Sequence, residues 1–546
     1  MPIRSRMFNR KARRITLIGG LLVLWASAWS PPVRATWSII LVDTETKEIV
    51  VGSATCLTGF DLKQWLPVVV VDTGAGVAQS FVDSNGQNRA LIFTALDLGI
   101  SPETILELLE NQDPNHQTRQ YGIADTFGRK ATFTGSIAGA WADGVVGQSG
   151  TMHYAIQGNV LTGPPVVEMA EQAVLNTVGS LPEKLMAGME AARSMGGDGR
   201  CSCLPNDPTA CGSPPKRGFL KSAHVGFMIG SRTGDTDGTC NVSVGCASGD
   251  YFMVLNVPFQ TAGDPDPVLQ LQEMFDKFQA SLIGRPDAVL STVTIDPPTL
   301  PADKKGTATM TIQFVDRLGT PIDPATISVS VEHLDEVSDQ AMMIGPVVDV
   351  GGGAYEVQLV GTGAVGTDVY VVTANDGVRP VVVMPVPKFV ASAPADFDTD
   401  GDVDENDWAL FAGCMTGPGN PVDGACSATD IDGDTDADFR DFAKFMVQFT
   451  DEPCVRLILT QQPEPEDLLC GSEYTLSVGV DADPAANFQW FIDGVPIPGA
   501  TESEYHIESA DNPDHGDYFV RMANTCLVVQ SNTVLVRVFP DPCPGP

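Results

Sequence analysis

Basic residues are scarce in this chain. Its 546 residues include 32 Lys and Arg against 69 Asp and Glu, with only 6 His. Seven of the basic residues precede Thr36 and no acidic residue does, so the remainder carries 25 basic against 69 acidic side chains. A surface of that sign repels nucleic acid and anionic membranes, and neither is expected as a partner. Long apolar runs are also lacking. Only Ile15 to Trp29 approaches one, and it is short for a membrane span. No pair of carboxylates marks a glycosidase. Charged residues make up 18% and aromatics 7%, while the 54 Gly and 40 Pro point to many strands and turns.

What is present begins with an export signal over residues 1–35. Arg4, Arg6, Arg10, Lys11, Arg13 and Arg14 form a basic segment ahead of the apolar one. Val33 and Ala35 are small enough for the −3 and −1 positions of a cleavage site, and a competing cut after Ala28 would leave Thr36 internal. With that signal removed, no transmembrane segment is expected, and the protein is expected to be secreted, at the cell surface or periplasmic. All twelve Cys follow Thr36, and an even count in an exported chain reads as disulfides. Cys56, Cys201, Cys203, Cys211, Cys240 and Cys246 form one group whose pairing the sequence leaves open. A zinc cluster of these with His224 is the alternative, but Cys-x-Cys followed by irregular spacing is a poor template for it.

Five segments follow from the pattern: the signal at 1–35, then 36–285, 290–388, 394–450 and 454–546. In 36–285, TWSIILVDTETKEIVVGSATC reads as strand, turn, strand, and LPVVVVDTGAGVAQS and GIADTFGRKATFTG as further strand pairs. Pro102 to Asn111 reads as a helix capped by Ser101, with Ile105, Leu108 and Leu109 as its apolar face. Val166–Val178, Pro182–Arg193 and Pro267–Ile283 read as helices, the last burying Leu269, Leu271, Met274, Phe275 and Phe278. His224–Ile229 and Tyr251–Asn256 read as strands. This order predicts a layered α+β domain. Segment 290–388 alternates without helical period and predicts an immunoglobulin-like β-sandwich spacer.

Segment 394–450 holds an acidic repeat. Asp396, Asp398, Asp400, Asp402, Asp404 and Asp407 fall at positions 1, 3, 5, 7, 9 and 12 of a calcium loop, with Gly401 at position 6. Asp430, Asp432, Asp434, Asp436, Asp438 and Asp441 repeat the spacing, with Thr435 in the Gly position. Alternate side chains converge as such a loop curls, so two structural Ca²⁺ ions are the expected cofactors, and none is expected for catalysis. Each loop leads into a short helix, and Cys414 and Cys426 are expected to pair. The repeat resembles a dockerin module, which implies a cohesin-like or cell-surface partner. In 454–546, Trp490 and the run Asp514, Gly516, Tyr518 resemble an immunoglobulin-like domain, with Cys470–Cys526 and Cys454–Cys543 as candidate disulfides.

TWSIILVD, VVGSATC, AGVAQSFVD, LLENQDPNHQTRQYGIAD, GRKATFTG, YAIQGNVLTGPPVVEMA, AGMEAARSMGGDGRCS and DPDPVLQLQEMF occur in one order. That series resembles the domain-of-unknown-function 1028 family, grouped with the N-terminal-nucleophile (Ntn) hydrolases, over about 36–280. The resemblance implies a four-layer αββα sandwich and a Thr exposed at the mature N-terminus. Cleavage after Ala35 would expose Thr36. A Thr there offers a hydroxyl nucleophile and, in its α-amine of ordinary pKa near 8, its own base. On this analogy the protein cleaves an amide bond in a peptide, acyl-amide or cell-wall substrate. Asn159, read as lying in a QGN turn, is the expected oxyanion donor, and Gly158 a backbone donor. Gln79, Ser80, Arg119, Gln120 and Asp198 are the expected cleft residues, although for Arg119 an ion pair with Asp113 or Asp125 is the favoured reading. The competing functions are a non-catalytic extracellular adhesion or scaffold protein and an accessory subunit of a polysaccharide-degrading complex.

Overall fold

A computed structural model describes residues 36–302, 306–334, 337–398, 403–424, 426–448, 456–483, 486–497, 499–523 and 528–539. The signal at 1–35, Asp400, Asp402, Cys454, Cys526 and Cys543 lie outside the described residues.

The first unit is built on two antiparallel sheets. Its strands are β1 (Thr36–Asp43), β2 (Ile49–Thr55), β3 (Pro67–Val70), β4 (Gly74–Ser80), β5 (Arg119–Asp125), β6 (Lys130–Thr134), β7 (Ala142–Ser149), β8 (Met152–Asn159), β9 (Val225–Ser231) and β10 (Met253–Val257). One sheet runs β10-β9-β2-β1-β8-β7 and the other β3-β4-β5-β6. The helices are α1 (Leu62–Trp65), α2 (Gln87–Asp97), α3 (Pro102–Gln112), α4 (Pro165–Asn176), α5 (Leu181–Ser194), α6 (Gly199–Ser202) and α7 (Pro267–Ser281).

Period-two alternation sorts the strands into layers. Trp37, Ile39 and Leu41 of β1 face α4, α5 and α7, where they pack with Val166, Ala170, Leu185, Met189 and Leu271. Ile40 and Val42 face the other way and meet Val69, Ala75, Val77 and Ala124 of the second sheet. The far face of that sheet, with Val68, Val70, Tyr121 and Ile123, is covered by Ile92, Leu96, Ile105 and Leu109 of α2 and α3. The order is therefore helix, sheet, sheet, helix.

Ser101 caps α3 as expected, its side chain accepting from the Thr104 amide, and Ile105 and Leu109 are buried. The expected apolar face of α7 needs one shift. Leu269 is 45% exposed, and Val268 takes the buried place one position earlier, in register with Leu271 and Phe275.

Residues 292–392 form two facing sheets around Met310, Ile312, Phe314, Val357, Leu359, Tyr370 and Phe389. Next come α8 (Glu405–Gly413) and α9 (Phe439–Gln448). The last segment packs its strands around Trp490, Tyr518, Val520 and Val536. The Tyr518 hydroxyl donates to the Asp514 carbonyl at 3.0 Å. Among the described residues, no helix is long and apolar enough to cross a membrane.

Cys56–Cys201, Cys203–Cys211, Cys240–Cys246 and Cys414–Cys426 are disulfides. The first pairing consumes the thiols a zinc site with His224 would need. Cys470 is also disulfide-bonded.

Candidate functional site

The inter-sheet core changes character along β1. At one end it is aliphatic. At the Thr36 end it is lined by Thr36, Ser38, Ser53, Gln79, Gln120, Gln157 and Asn159, all fully buried. Alternation places Thr36 on the same face as Ser38, between the sheets. Thr36 pairs across the ladder with Asn159, the last residue of β8. Continuing the register from Trp37↔Ala54 sets Thr55 on its other side.

Asn159 is thus a strand residue and not a turn residue. The left-handed backbone after it falls on Val160, at φ 54°. Gly158 pairs with Trp37 on one side and Asp143 on the other, so its amide lies in the ladder and does not face the site.

Hydrogen bonds tie the two sheets together here. Gln79 Nε2 donates to the Thr36 carbonyl at 3.1 Å and to Gln120 Oε1 at 2.7 Å. Ser38 Oγ donates to Gln79 Oε1 at 2.5 Å, and Ser53 Oγ to the Trp37 carbonyl at 2.7 Å. Gln120 Nε2 reaches Thr134 Oγ1 and the Gly158 carbonyl at 2.8 and 2.9 Å. Among the described residues the Gln157 amide has no hydrogen-bond partner for either polar atom. Gly122 makes room for that amide, because a Cβ there would lie 2.0 Å from Gln157 Oε1. Sequence reasoning missed Gln157. Only its place on the inner face of a strand marks it, and β8 itself was not foreseen.

Ser80 ends β4 in the left-handed region at φ 70°, which is rare for a residue with a side chain. Its Oγ donates to the Ala138 carbonyl at 3.1 Å. Asn159 Nδ2 donates to the same oxygen at 3.0 Å. The remaining expected cleft residues are structural. Arg119 pairs with Asp113 at 2.7 Å, and Asp125 pairs with Arg129 instead. Burial pushes the Asp113 carboxyl up, but its bonds to Arg119 and Asn88 outweigh this and hold it below 3.8. Asp198 accepts from the Cys56 amide at 2.7 Å and from Arg200 Nη2 at 2.8 Å, tying α6 to the end of β2. Burial and then Lys221 hold the nearby His224 below its usual value.

The acidic repeat forms a second site. Carboxylate oxygens of Asp430, Asp432, Asp434 and Asp441 lie within 4.8 Å of one another, as do those of Asp396, Asp398 and Asp407. These are positions 1, 3, 5 and 12 of the second loop and 1, 3 and 12 of the first. Asp436, Asp438 and Asp441 form an overlapping buried group. Thr435 adopts φ 84°, so the loop makes its turn without Gly. The amides of Asp434 and Thr435 both donate to Asp430 at 2.9 Å. Asp436 Oδ1 is buried and has no hydrogen-bond partner among the described residues. Two unit charges 4 Å apart repel by about 4 kcal/mol at an effective dielectric near 20. An all-oxygen cluster of this kind fits a hard divalent cation.

Residues 36–203 match the family model described as "Family of unknown function (DUF1028)". One similar solved structure is a protein from Silicibacter pomeroyi described with the family-model DUF1028. It is 18% identical, covers 44% of this chain and 85% of that chain, and has a TM-score of 0.32. Another is a chimeric titin Z1Z2, 22% identical over 16% of this chain and 96% of that chain, with a TM-score of 0.15. A third is the N-terminal Ig1-2 module of a Drosophila receptor protein tyrosine phosphatase. It is 12% identical over 45% of this chain and 98% of that chain, with a TM-score of 0.17. No curated protein matches.

Proposed function

We propose that the protein is an exported Ntn-type amidohydrolase whose nucleophile is Thr36. The observation that carries this reading is the position of Thr36. It opens the central strand β1, faces the inter-sheet space, and has Asn159 directly beside it among fully buried amides and hydroxyls. A cluster of buried amides and hydroxyls at one end of a single strand breaks the apolar pattern of the core, and such local departures mark functional sites.

In the reaction, Thr36 Oγ adds to the amide carbonyl carbon of the substrate and its proton passes to the Thr36 α-amine. An α-amine of ordinary pKa near 8 is partly neutral at pH 7 and so can act as this base. The C–N bond then breaks, the amine leaves with that proton, and an ester to Thr36 remains. Water, deprotonated by the same α-amine, hydrolyses the ester and releases the acid. Gln79 and Gln120 position β1 through the Thr36 carbonyl.

The acidic repeat is read as a dockerin-like module with two structural Ca²⁺ ions. Asp396, Asp398 and Asp407 would hold one, and Asp430, Asp432, Asp434 and Asp441 the other, with bound calcium neutralising carboxylates that otherwise oppose folding. The module and the Ig-like C-terminal segment would tether the hydrolase to a cohesin-like or cell-surface partner.

The test is Thr36→Ala against a library of amides, with the wild type confirmed to begin at Thr36. Loss of product release in the variant supports the reading. A wild type that releases nothing, or a variant that matches it, points to a non-catalytic scaffold, which the complete burial of Thr36 favours.

A further inference from the structure

The Ala138 carbonyl accepts two side-chain hydrogen bonds beside the Thr36 end of β1. Two side-chain donors from different sheets, Ser80 Oγ and Asn159 Nδ2, converge on it at 3.1 and 3.0 Å. One of them lies directly beside Thr36 in the ladder. Two donors aimed at one oxygen next to a nucleophile is the arrangement that stabilises the oxyanion of acyl transfer.

The segment carrying that carbonyl is exposed in its middle and held at its ends, where the Gly135 amide donates to the Arg119 carbonyl at 2.9 Å and the Trp141 carbonyl accepts from the Leu161 amide at 3.3 Å. It joins β6 to β7, and of residues 136–140 only Ala138 is buried. Ile137, its neighbour, is 60% exposed. Gly139 has φ 116° and Trp141 φ 26°, so the chain turns sharply on the far side of Ala138. On the near side the segment rests on exposed Gln117, whose side chain accepts from Ser136 and whose carbonyl accepts from Ile137. The donors, by contrast, are fixed. Asn159 is locked in the β1–β8–β7 ladder, and Ser80 is held at a strained φ of 70° by its place at the end of β4.

Resting on the reading of Thr36 as nucleophile, we infer that Ser80 and Asn159 form the oxyanion hole of the site and that the Ala138 carbonyl closes it as a built-in substrate mimic. Substrate enters by displacing segment 136–140 and exchanging its own carbonyl for that of Ala138. This makes Ser80 a catalytic residue, since its hydroxyl donates to the reacting oxygen. The substrate it selects is an extended amide, whose carbonyl can replace a backbone carbonyl one for one.

The experiment uses the exported protein beginning at Thr36 and a short peptide boronate, which bonds to a nucleophilic hydroxyl and presents an oxygen in the oxyanion position. In the crystal structure of the adduct, the boronate oxygen is expected within hydrogen-bond reach of Ser80 and Asn159, with Ala138 moved away. Ser80→Ala is expected to lower kcat by about 10²–10³-fold with KM nearly unchanged. An adduct on Thr36 with Ala138 still bound to both donors overturns this inference and leaves the nucleophile in place. No adduct on Thr36 overturns both. If Ser80→Ala does not fold, the adduct structure alone decides.

Discussion

Phe411 and Phe445 stack with ring centroids 5.3 Å apart, and they occupy the same place in the two halves of the acidic repeat. The equivalence extends to the backbone. The Asp398 and Asp404 amides donate to Asp407 at 3.1 and 2.9 Å, and the Asp432 and Asp438 amides donate to Asp441, both at 2.9 Å. Each loop is thereby tied to the start of its own helix, and the two helices share one small aromatic core.

Phe411→Ala is therefore expected to affect both loops, not one. Removing a fully buried Phe costs about 3–5 kcal/mol. Thermal melts at saturating calcium should show that loss, and calcium titration should weaken at both sites. Weakening confined to the first loop would mean that the halves are independent.

Chelation tests the metal itself. With calcium removed, the module is expected to lose the helical signal of α8 and α9 and to regain it when calcium is restored. Circular dichroism and melting curves unchanged by chelator would remove calcium from the account.

Gly122 and Gln157 are expected to be coupled. Gly122→Ala places a methyl against the Gln157 amide and should destabilise by about 1–3 kcal/mol, as overpacked cores do. In the Gln157→Ala background the penalty should largely vanish, which a double-mutant cycle in urea measures. An equal penalty in both backgrounds would locate the crowding elsewhere.

The Asp113–Arg119 pair carries a pH signature. The Asp113 carboxyl titrates below 3.8 when folded, so its contribution is fully present above the unfolded value and is lost as pH falls through the folded one. Asp113→Asn is expected to cost about 3–5 kcal/mol at pH 7, because it leaves Arg119 buried without its charge partner. The gap between variant and wild type should close as pH falls through the lowered titration of the folded Asp113 carboxyl. A gap that stays constant with pH would show that the pair stabilises by shape alone.

Much of this fold was legible because its elements carry strong local signals. Ser101 and Pro102 announce α3, and alternation along β1 and β2 announces the strands. The acidic spacing placed the carboxylates that do converge. Strands β7 and β8 and helix α2 escaped. Strand β7 carries Gly144 and Gly147 among polar residues and buries none of them fully, so it has no apolar alternation to read. Strand β8 is buried throughout, but its Met152, Tyr154 and Ile156 are interleaved with His153, Gln157 and Gly158, which blurs the pattern. Helix α2 starts at Gly86 in the left-handed region, without a capping side chain, and buries Asn88 and Arg89 along with Ile92 and Leu96. The site was half visible. Thr36, Gln79, Ser80, Gln120 and Asn159 come together, whereas Arg119 and Asp198 are committed to structural pairs. Gln157 and the Ala138 carbonyl gave no signal, since one is a lone amide and the other is backbone.

The most direct test of the account is the N-terminal sequence of the exported protein. The account requires that chain to begin with Thr36, its amine free. A mature chain that begins at Trp29, with Thr36 peptide-bonded on both sides, would contradict it.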